Sequence, residues 1–206
     1  TELDMDTVIG FLQDKVQEGT IRYYGISFRT PGDALSVIND YPLDAIQINY
    51  NLIDQRAKEI GLLDRCLEKG IAVIVRTPLC FGFLTGRFTG EEIFTPPDHR
   101  SNWPREQIRR WARSAQLFTP LVESYHRTLP QLALAFCTDH AAVTTVIPGM
   151  MNPIEVRENV GTIQNIVLTD KDRRFIRDVY HNHIFFDPSI QSKITAKTVN
   201  IREGVA

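Results

Sequence analysis

Gln47 stands between Ile46 and Ile48 in an otherwise apolar segment, Asp44-Ala45-Ile46-Gln47-Ile48-Asn49. An amide in such surroundings must be hydrogen-bonded or it costs a few kcal/mol. A planar group with both donors and an acceptor suits a ligand amide such as a nicotinamide carboxamide; neighbouring backbone would satisfy it equally well. Three more polar groups follow apolar segments in the same way: Ser27, Arg76-Thr77, and the Pro148-Gly149 turn. The flat guanidinium of Arg76 could stack on an aromatic ring or hold a phosphate, or it could form an ordinary ion pair at a rim. Gly149, with a helix expected to start near Pro153, offers backbone N–H groups and a helix N-terminus to an anion, although glycine turns before helices are common.

Other chemistry is less well supported. His181-Asn182-His183 with Asp187 resembles a metal set but has no fourth ligand at firm spacing. Neither a Gly-x-Gly-x-x-Gly nor a Gly-x4-Gly-Lys loop occurs, so the common nucleotide fingerprints are absent, as is the Gly-x-Ser-x-Gly elbow of serine nucleophiles.

The elements that must carry these groups alternate. Leu3, Val8, Phe11, Leu12 and Val16 predict a helix with one buried stripe, ended by Gly19. A strand is expected over 21–27, then a helix over 31–39 opened by Thr30-Pro31. A second strand over 44–49 and a helix over 57–69 closed by Gly70 follow. Ile71-Ala72-Val73-Ile74-Val75 is unbroken and apolar, as for a parallel strand covered on both faces. Residues 76–104 form a long connection rich in glycine and proline, of the kind that usually carries function. Helices are then expected over 105–117, 119–127 and 130–138, a fourth strand over 143–147, and helices over 153–161 and 170–180. The alternation predicts a parallel α/β sheet, in which ligands meet the carboxyl ends of the strands. Four strands are too few to close a barrel, which needs about eight.

Composition narrows the class. The 206 residues are 43% hydrophobic, with 23 basic and 25 acidic side chains and a net charge of −2. That excludes a disordered chain and gives no footprint for nucleic acid. No run approaches the roughly 18 apolar residues of a membrane span, and the acidic start is unlike a signal peptide. Three dispersed cysteines, Cys66, Cys80 and Cys137, predict reduced thiols and a cytoplasmic setting. The chain begins at Thr1, as processing or a cut in a longer protein would leave it.

Four ordered segments carry a resemblance. They are Gly19-Thr20-Ile21-Arg22-Tyr23-Tyr24-Gly25-Ile26-Ser27, Ile46-Gln47-Ile48-Asn49-Tyr50-Asn51-Leu52-Ile53-Asp54, Arg76-Thr77-Pro78-Leu79 with Gly82-Phe83-Leu84-Thr85-Gly86-Arg87, and Ile147-Pro148-Gly149 with Val156-Arg157-Glu158-Asn159. Together they resemble the aldo-keto reductase family. The resemblance implies a parallel (β/α)8 barrel of TIM type, of which this chain holds about four βα units, the carboxyl-terminal and cofactor-holding half. It implies NADPH, with NADH as the alternative, and reduction of a small-molecule aldehyde or ketone. By the resemblance, Ser27 and Gln47 match positions that hold the nicotinamide amide, and Arg76 a position beside the nicotinamide ring. Thr77 and Leu79 match the pyrophosphate loop; Gly149, Met150, Met151, Glu155, Glu158 and Asn159 match the segment around the 2′-phosphate and adenine.

Departures from the pattern qualify the implication. Phe28 replaces a frequent asparagine, Phe81 a small residue of the pyrophosphate loop, and Glu155 a frequent arginine for the 2′-phosphate. A carboxylate repels phosphate but can accept from a ribose hydroxyl. The family's proton donor and its helpers lie on strands one to four, which no segment here matches, so no catalytic residue is assigned, and Tyr23, Tyr24 and Tyr50 match no catalytic position. The expected organisation is a partial barrel over 1–186 and an irregular tail or arm over 187–206. The missing half of the barrel, or a second copy of the chain, is expected to complete it. The alternative is a non-catalytic half-barrel serving as a nucleotide-binding or interaction module. Phe81, Phe83, Trp103 and Phe185 are candidates for an apolar substrate wall or for rim packing.

Overall fold

The computed structural model describes residues 4–162 and 166–190. Helix α1 (Met5–Gln17) leads into strand β1 (Gly25–Ser27), helix α2 (Pro31–Asp40) and strand β2 (Ala45–Asn49). Helices α3 (Arg56–Glu59) and α4 (Leu62–Lys69) precede strand β3 (Ala72–Arg76). A long loop containing the 3-10 turns Cys80–Thr85 and His99–Asn102 leads to α5 (Arg105–Ser114), α6 (Thr119–Tyr125) and α7 (Leu129–Thr138). Strand β4 (Val143–Ile147) and helices α8 (Pro153–Thr162) and α9 (Asp170–Asn182) complete the order. The four strands form one parallel sheet in chain order, with Ser27 beside Gln47 and Asn49 beside Arg76. This is a run of four βα units of the (β/α)8 type.

Local chemistry explains the boundaries. Thr30 accepts from the Asp33 N–H and Pro31 supplies the preset first helical residue, so α2 starts where expected. Thr128 and Thr169 each form reciprocal capping boxes, with Gln131 and Asp172, at the starts of α7 and α9. Gly61, at φ 75°, breaks the single helix expected over 57–69 into α3 and α4. The first strand is shorter than its β-branched and aromatic run suggested. The Asp44 carboxylate accepts from the Tyr24 N–H at 2.9 Å, and that side chain stands where a strand partner would be.

The sheet is covered on one face only. Ile46, Ile48, Val73 and Val75 are fully buried, whereas Ala45, Gln47, Asn49, Ala72, Ile74 and Arg76 alternate with them and stay half-exposed. Helix α2 packs on β2, α4 on β3 and α7 on β4. The expectation that β3 is covered on both faces is therefore corrected. Its apolar run reflects helices on one side and a face left open on the other. Helix α1 repeats the theme: Ile9 is buried, but Phe11, read as part of the buried stripe, is 59% exposed, with Lys15 over its ring. Among the described residues, no helix is long and apolar enough to cross a membrane.

Close strand contact makes a specific demand at β1. A Cβ on Gly25 would stand 2.2 Å from the Ala45 carbonyl oxygen, so no other residue fits without separating the strands. Gly25→Ala should therefore lower unfolding stability by about 1–3 kcal/mol, the usual cost of overpacking. Urea denaturation would read this as a lower midpoint at unchanged slope; an unchanged midpoint would show that β1 tolerates separation.

Candidate functional site

The loop after β3 leaves the strand in strained geometry. Thr77 (φ 53°), Cys80 (φ 44°) and Phe81 (φ 55°) are left-handed, as is Gly82 (φ 91°). Each non-glycine residue of this kind costs roughly 1–3 kcal/mol, and such strain clusters at ligand sites. Polar contacts hold it in place. The Asn51 amide donates to the Thr77 carbonyl at 2.9 Å, and the Thr77 hydroxyl lies 3.0 Å from Asn49 Oδ1. The Leu79 carbonyl accepts from the N–H groups of Gly82 and Leu84.

Between this loop and the start of α8 lies a cavity of about 420 Å³, within the size range of small-molecule and cofactor sites. Thr77, Leu79, Gly149, Met151, Glu155, Glu158 and Asn159, all candidates from the sequence, line it together. Arg87, the last residue of the 82–87 segment and not among the expected site residues, lines it too. Glu155 accepts from the Met151 N–H at 2.7 Å and from Arg87 at 3.0 Å. Those two bonds hold its carboxyl below the ordinary carboxylate range. Asn159 is buried, and its Nδ2 has no hydrogen-bond partner. Arg100, paired with Asp98, and Glu158 line it too, so the cavity offers two guanidinium groups, two carboxylates of which Glu155 is matched by Arg87, and the buried Asn159 amide.

The remaining candidates lie elsewhere. Ser27 donates to Gln47 Oε1 at 3.1 Å across β1 and β2, on the uncovered face, and neither lines this cavity. The apolar surroundings expected for Gln47 are thus half solvent and half sheet, and a neighbouring side chain rather than backbone satisfies its oxygen. Arg76 donates from Nη2 to the Phe28 carbonyl at 2.7 Å, while its Nε is buried without a partner. Arg76 lines a second cavity, of about 170 Å³, that shares Thr77 and Phe81 with the first. Met150 is exposed and lines neither.

Of the four aromatic candidates, Phe81 and Trp103 do line a cavity. Phe83 instead packs in the core against Phe88, Phe94 and Trp111, and Phe185 stacks on Tyr180. The His183 ring contacts the Val179 carbonyl at 2.9 Å and His181 lies 3.7 Å from Glu59. No group of three His, Cys, Asp or Glu side chains among the described residues could hold a metal ion. Sequence reasoning missed Asn49, Asn51 and Trp111, which line the second cavity. The two-residue spacing of Gln47 and Asn49 on one strand face was the available signal for Asn49; for Trp111, on α5, there was none.

A model described as the Aldo/keto reductase family matches residues 1–181. The NADH-specific methylglyoxal reductase of Escherichia coli (strain K12) is 32% identical over 174 residues, 83% of this chain and 52% of that relative. Aldo-keto reductase yakc [NADP(+)] of Schizosaccharomyces pombe is 28% identical over 88% of this chain and 54% of its own length. Among solved structures, the glycerol dehydrogenase AKR11B4 from Gluconobacter oxydans superposes with a TM-score of 0.70 at 26% identity. That match covers 86% of this chain and 55% of the other. The chain spans about half the length of the relatives it matches.

Two carboxylates staple the strained loop. Backbone N–H groups of Thr89 and Gly90 pull Glu92 down to about 2, and Arg100, lying over the rings of Phe88 and Phe94, does the same for Asp98. Both values lie below the ordinary range near 4, so their contribution is present above about pH 4 and is lost as pH falls toward 2. Acidification over that window should loosen the loop. Tryptophan emission, reported by Trp103 at its end, should shift to the red with a midpoint below pH 4. A flat profile between pH 5 and 2 would mean that these bonds do not order the loop.

Proposed function

The chain belongs to the aldo/keto reductase family, and from that premise we propose that its four βα units hold NADPH for reduction of an aldehyde or ketone. The observation that supports this best is the cavity between the strained loop and α8, with its unpaired Asn159 amide. A purine ring presents acceptors that such a donor can meet. When bound, the dinucleotide supplies the hydride for the carbonyl carbon. Ser27 and Gln47 orient its carboxamide, and Arg76 flanks its ring. Thr77 and Leu79 follow its pyrophosphate. Gly149, Met150, Met151, Glu155, Glu158 and Asn159 enclose its adenosine end. Residues 1–186 are assigned to this half of a barrel; the irregular tail or arm expected over 187–206 lies, beyond residue 190, outside the described residues.

Arg87 bears on the choice of dinucleotide. Glu155 alone argued against a 2′-phosphate, but Arg87 neutralises it and brings a solvent-exposed cation to the same wall. NADPH is therefore preferred, with NADH as the alternative; the relatives include an NADH-specific and an NADP(+) protein. The carbonyl oxygen must receive a proton, and the matched positions supply no donor. That donor comes with the units completing the cylinder over the uncovered sheet face, from the missing half or from a second copy. The cytoplasm is the proposed setting, on three buried free thiols. A non-catalytic nucleotide-binding module is the second reading, favoured by the same lack of a donor.

Titration with NADPH and NADH, followed by nicotinamide fluorescence, tests the reading. Saturable enhancement is expected. Gln47→Ala should weaken binding by about 1–3 kcal/mol with the circular dichroism unchanged. Arg87→Ala should weaken NADPH about tenfold more than NADH, the usual scale for one lost charged bond. No enhancement with either dinucleotide would overturn the proposal. Carbonyl reduction after adding the complementary half would separate an enzyme from a module.

A further inference from the structure

We propose that the second cavity is a subsite for the oxyanion of a small carbonyl substrate, a carboxylate or a phosphate, held by Arg29, Arg76 and the Trp111 indole N–H. The cavity, of about 170 Å³, lies at the carboxyl ends of β2 and β3, because Asn49 and Arg76, their last residues, line it. Three arginines (Arg29, Arg56, Arg76) face one carboxylate, Asp54. Arg56 already grips Asp54 through two bonds of 2.7 Å. Arg29 and Arg76 have no carboxylate partner among the described residues, which leaves the cavity with an excess of positive charge.

Unmet hydrogen bonds point the same way. Four buried side-chain polar atoms among the described residues have no hydrogen-bond partner, and two of them, Arg76 Nε and Trp111 Nε1, belong to residues lining this cavity. Trp111 is only 1% exposed, so bulk water does not serve its N–H. An unmet buried donor costs roughly 1–3 kcal/mol, and here two of them belong to residues lining one cavity. Burial and the nearby Arg29 lower the affinity of Arg76 for its proton, a penalty that an anion placed between the two would relieve. Cys80 offers no competing anion, since burial pushes its thiol well up. Phe81, Trp103 and Phe186 supply apolar walls. At about 30 Å³ per water, the space of about 170 Å³ matches roughly six small polar atoms, room for the carboxylate or phosphate end of a substrate rather than the whole of it.

Recognition of the oxyanion rests on this cavity alone; its assignment to a carbonyl substrate rests on the reductase reading. The chain contains two tryptophans, and both line the cavity, so their fluorescence reports on it directly. Without dinucleotide, the chain is titrated with two matched pairs: pyruvate against methyl pyruvate, and dihydroxyacetone phosphate against dihydroxyacetone. A saturable change is expected for at least one anion, at least tenfold tighter than for its neutral twin; the responding pair tells carboxylate from phosphate. Arg29→Gln, at an exposed position, and Trp111→Phe, with Trp103 kept as reporter, should each weaken the anion at least fivefold and leave the neutral compound unchanged. Equal binding within both pairs, or none, would overturn the proposal and leave water as the occupant. Failure here with successful NADPH binding removes only this subsite. Anion binding without dinucleotide binding removes the reductase reading and leaves an oxyanion site.

Discussion

The parallel register of β1, β2 and β3 is the constraint on which the candidate site depends. It sets Ser27 against Gln47 and Asn49 against Arg76. Because side chains alternate at every residue, a slip of one position would exchange Gln47 for Ile48 and turn the polar row into the helix-covered core. The fully buried Ile46, Ile48, Val73 and Val75 forbid that slip, since moving them to the open face would expose four large apolar side chains. The same burial that stabilises the sheet therefore aims the polar groups. Gly25 allows β1 to lie close enough to take part.

Strain enters where the strand ends. Thr77 is β-branched and left-handed, a combination that survives only when its surroundings over-determine it. Asn49 and Asn51 do so from β2 and the turn after it, so the loop that shapes both cavities is held from the neighbouring strand end. Further out, Glu91 pairs with Arg105 and Arg109 and ties the loop to α5. Thr77 and Phe81 border both cavities, so the two share a wall.

Cations are arranged differently in the two cavities. In the larger, Arg87 is matched by Glu155, which is also held by a backbone N–H at the start of α8. In the smaller, Asp54 is matched by Arg56, and Arg76 has only the Phe28 carbonyl. The first arrangement lets an arginine exchange one anionic partner for another. The second leaves positive charge and unmet donors in a partly dry space, where an anion gains most from each contact.

Local sequence determined the alternation of strands and helices, the helix caps at Thr30 and Gly70 and the parallel α/β class, whereas the grouping of Gly149, Met151, Glu155, Glu158 and Asn159 came from the family resemblance. The former follow from short-range rules, periodicity and capping chemistry, and the latter from motifs whose residues lie close in the chain. What needed the tertiary structure was anything that joins distant segments. The Asp44 side chain at Tyr24, the one-sided cover of β3, the exposure of Phe11, the neutralisation of Glu155 by Arg87 and the placing of Trp111 and Arg76 around one cavity each involve residues apart in sequence or the absence of a covering layer. An apolar run looks the same whether one or both of its faces are covered, and a charge does not reveal its partner until the chain has folded.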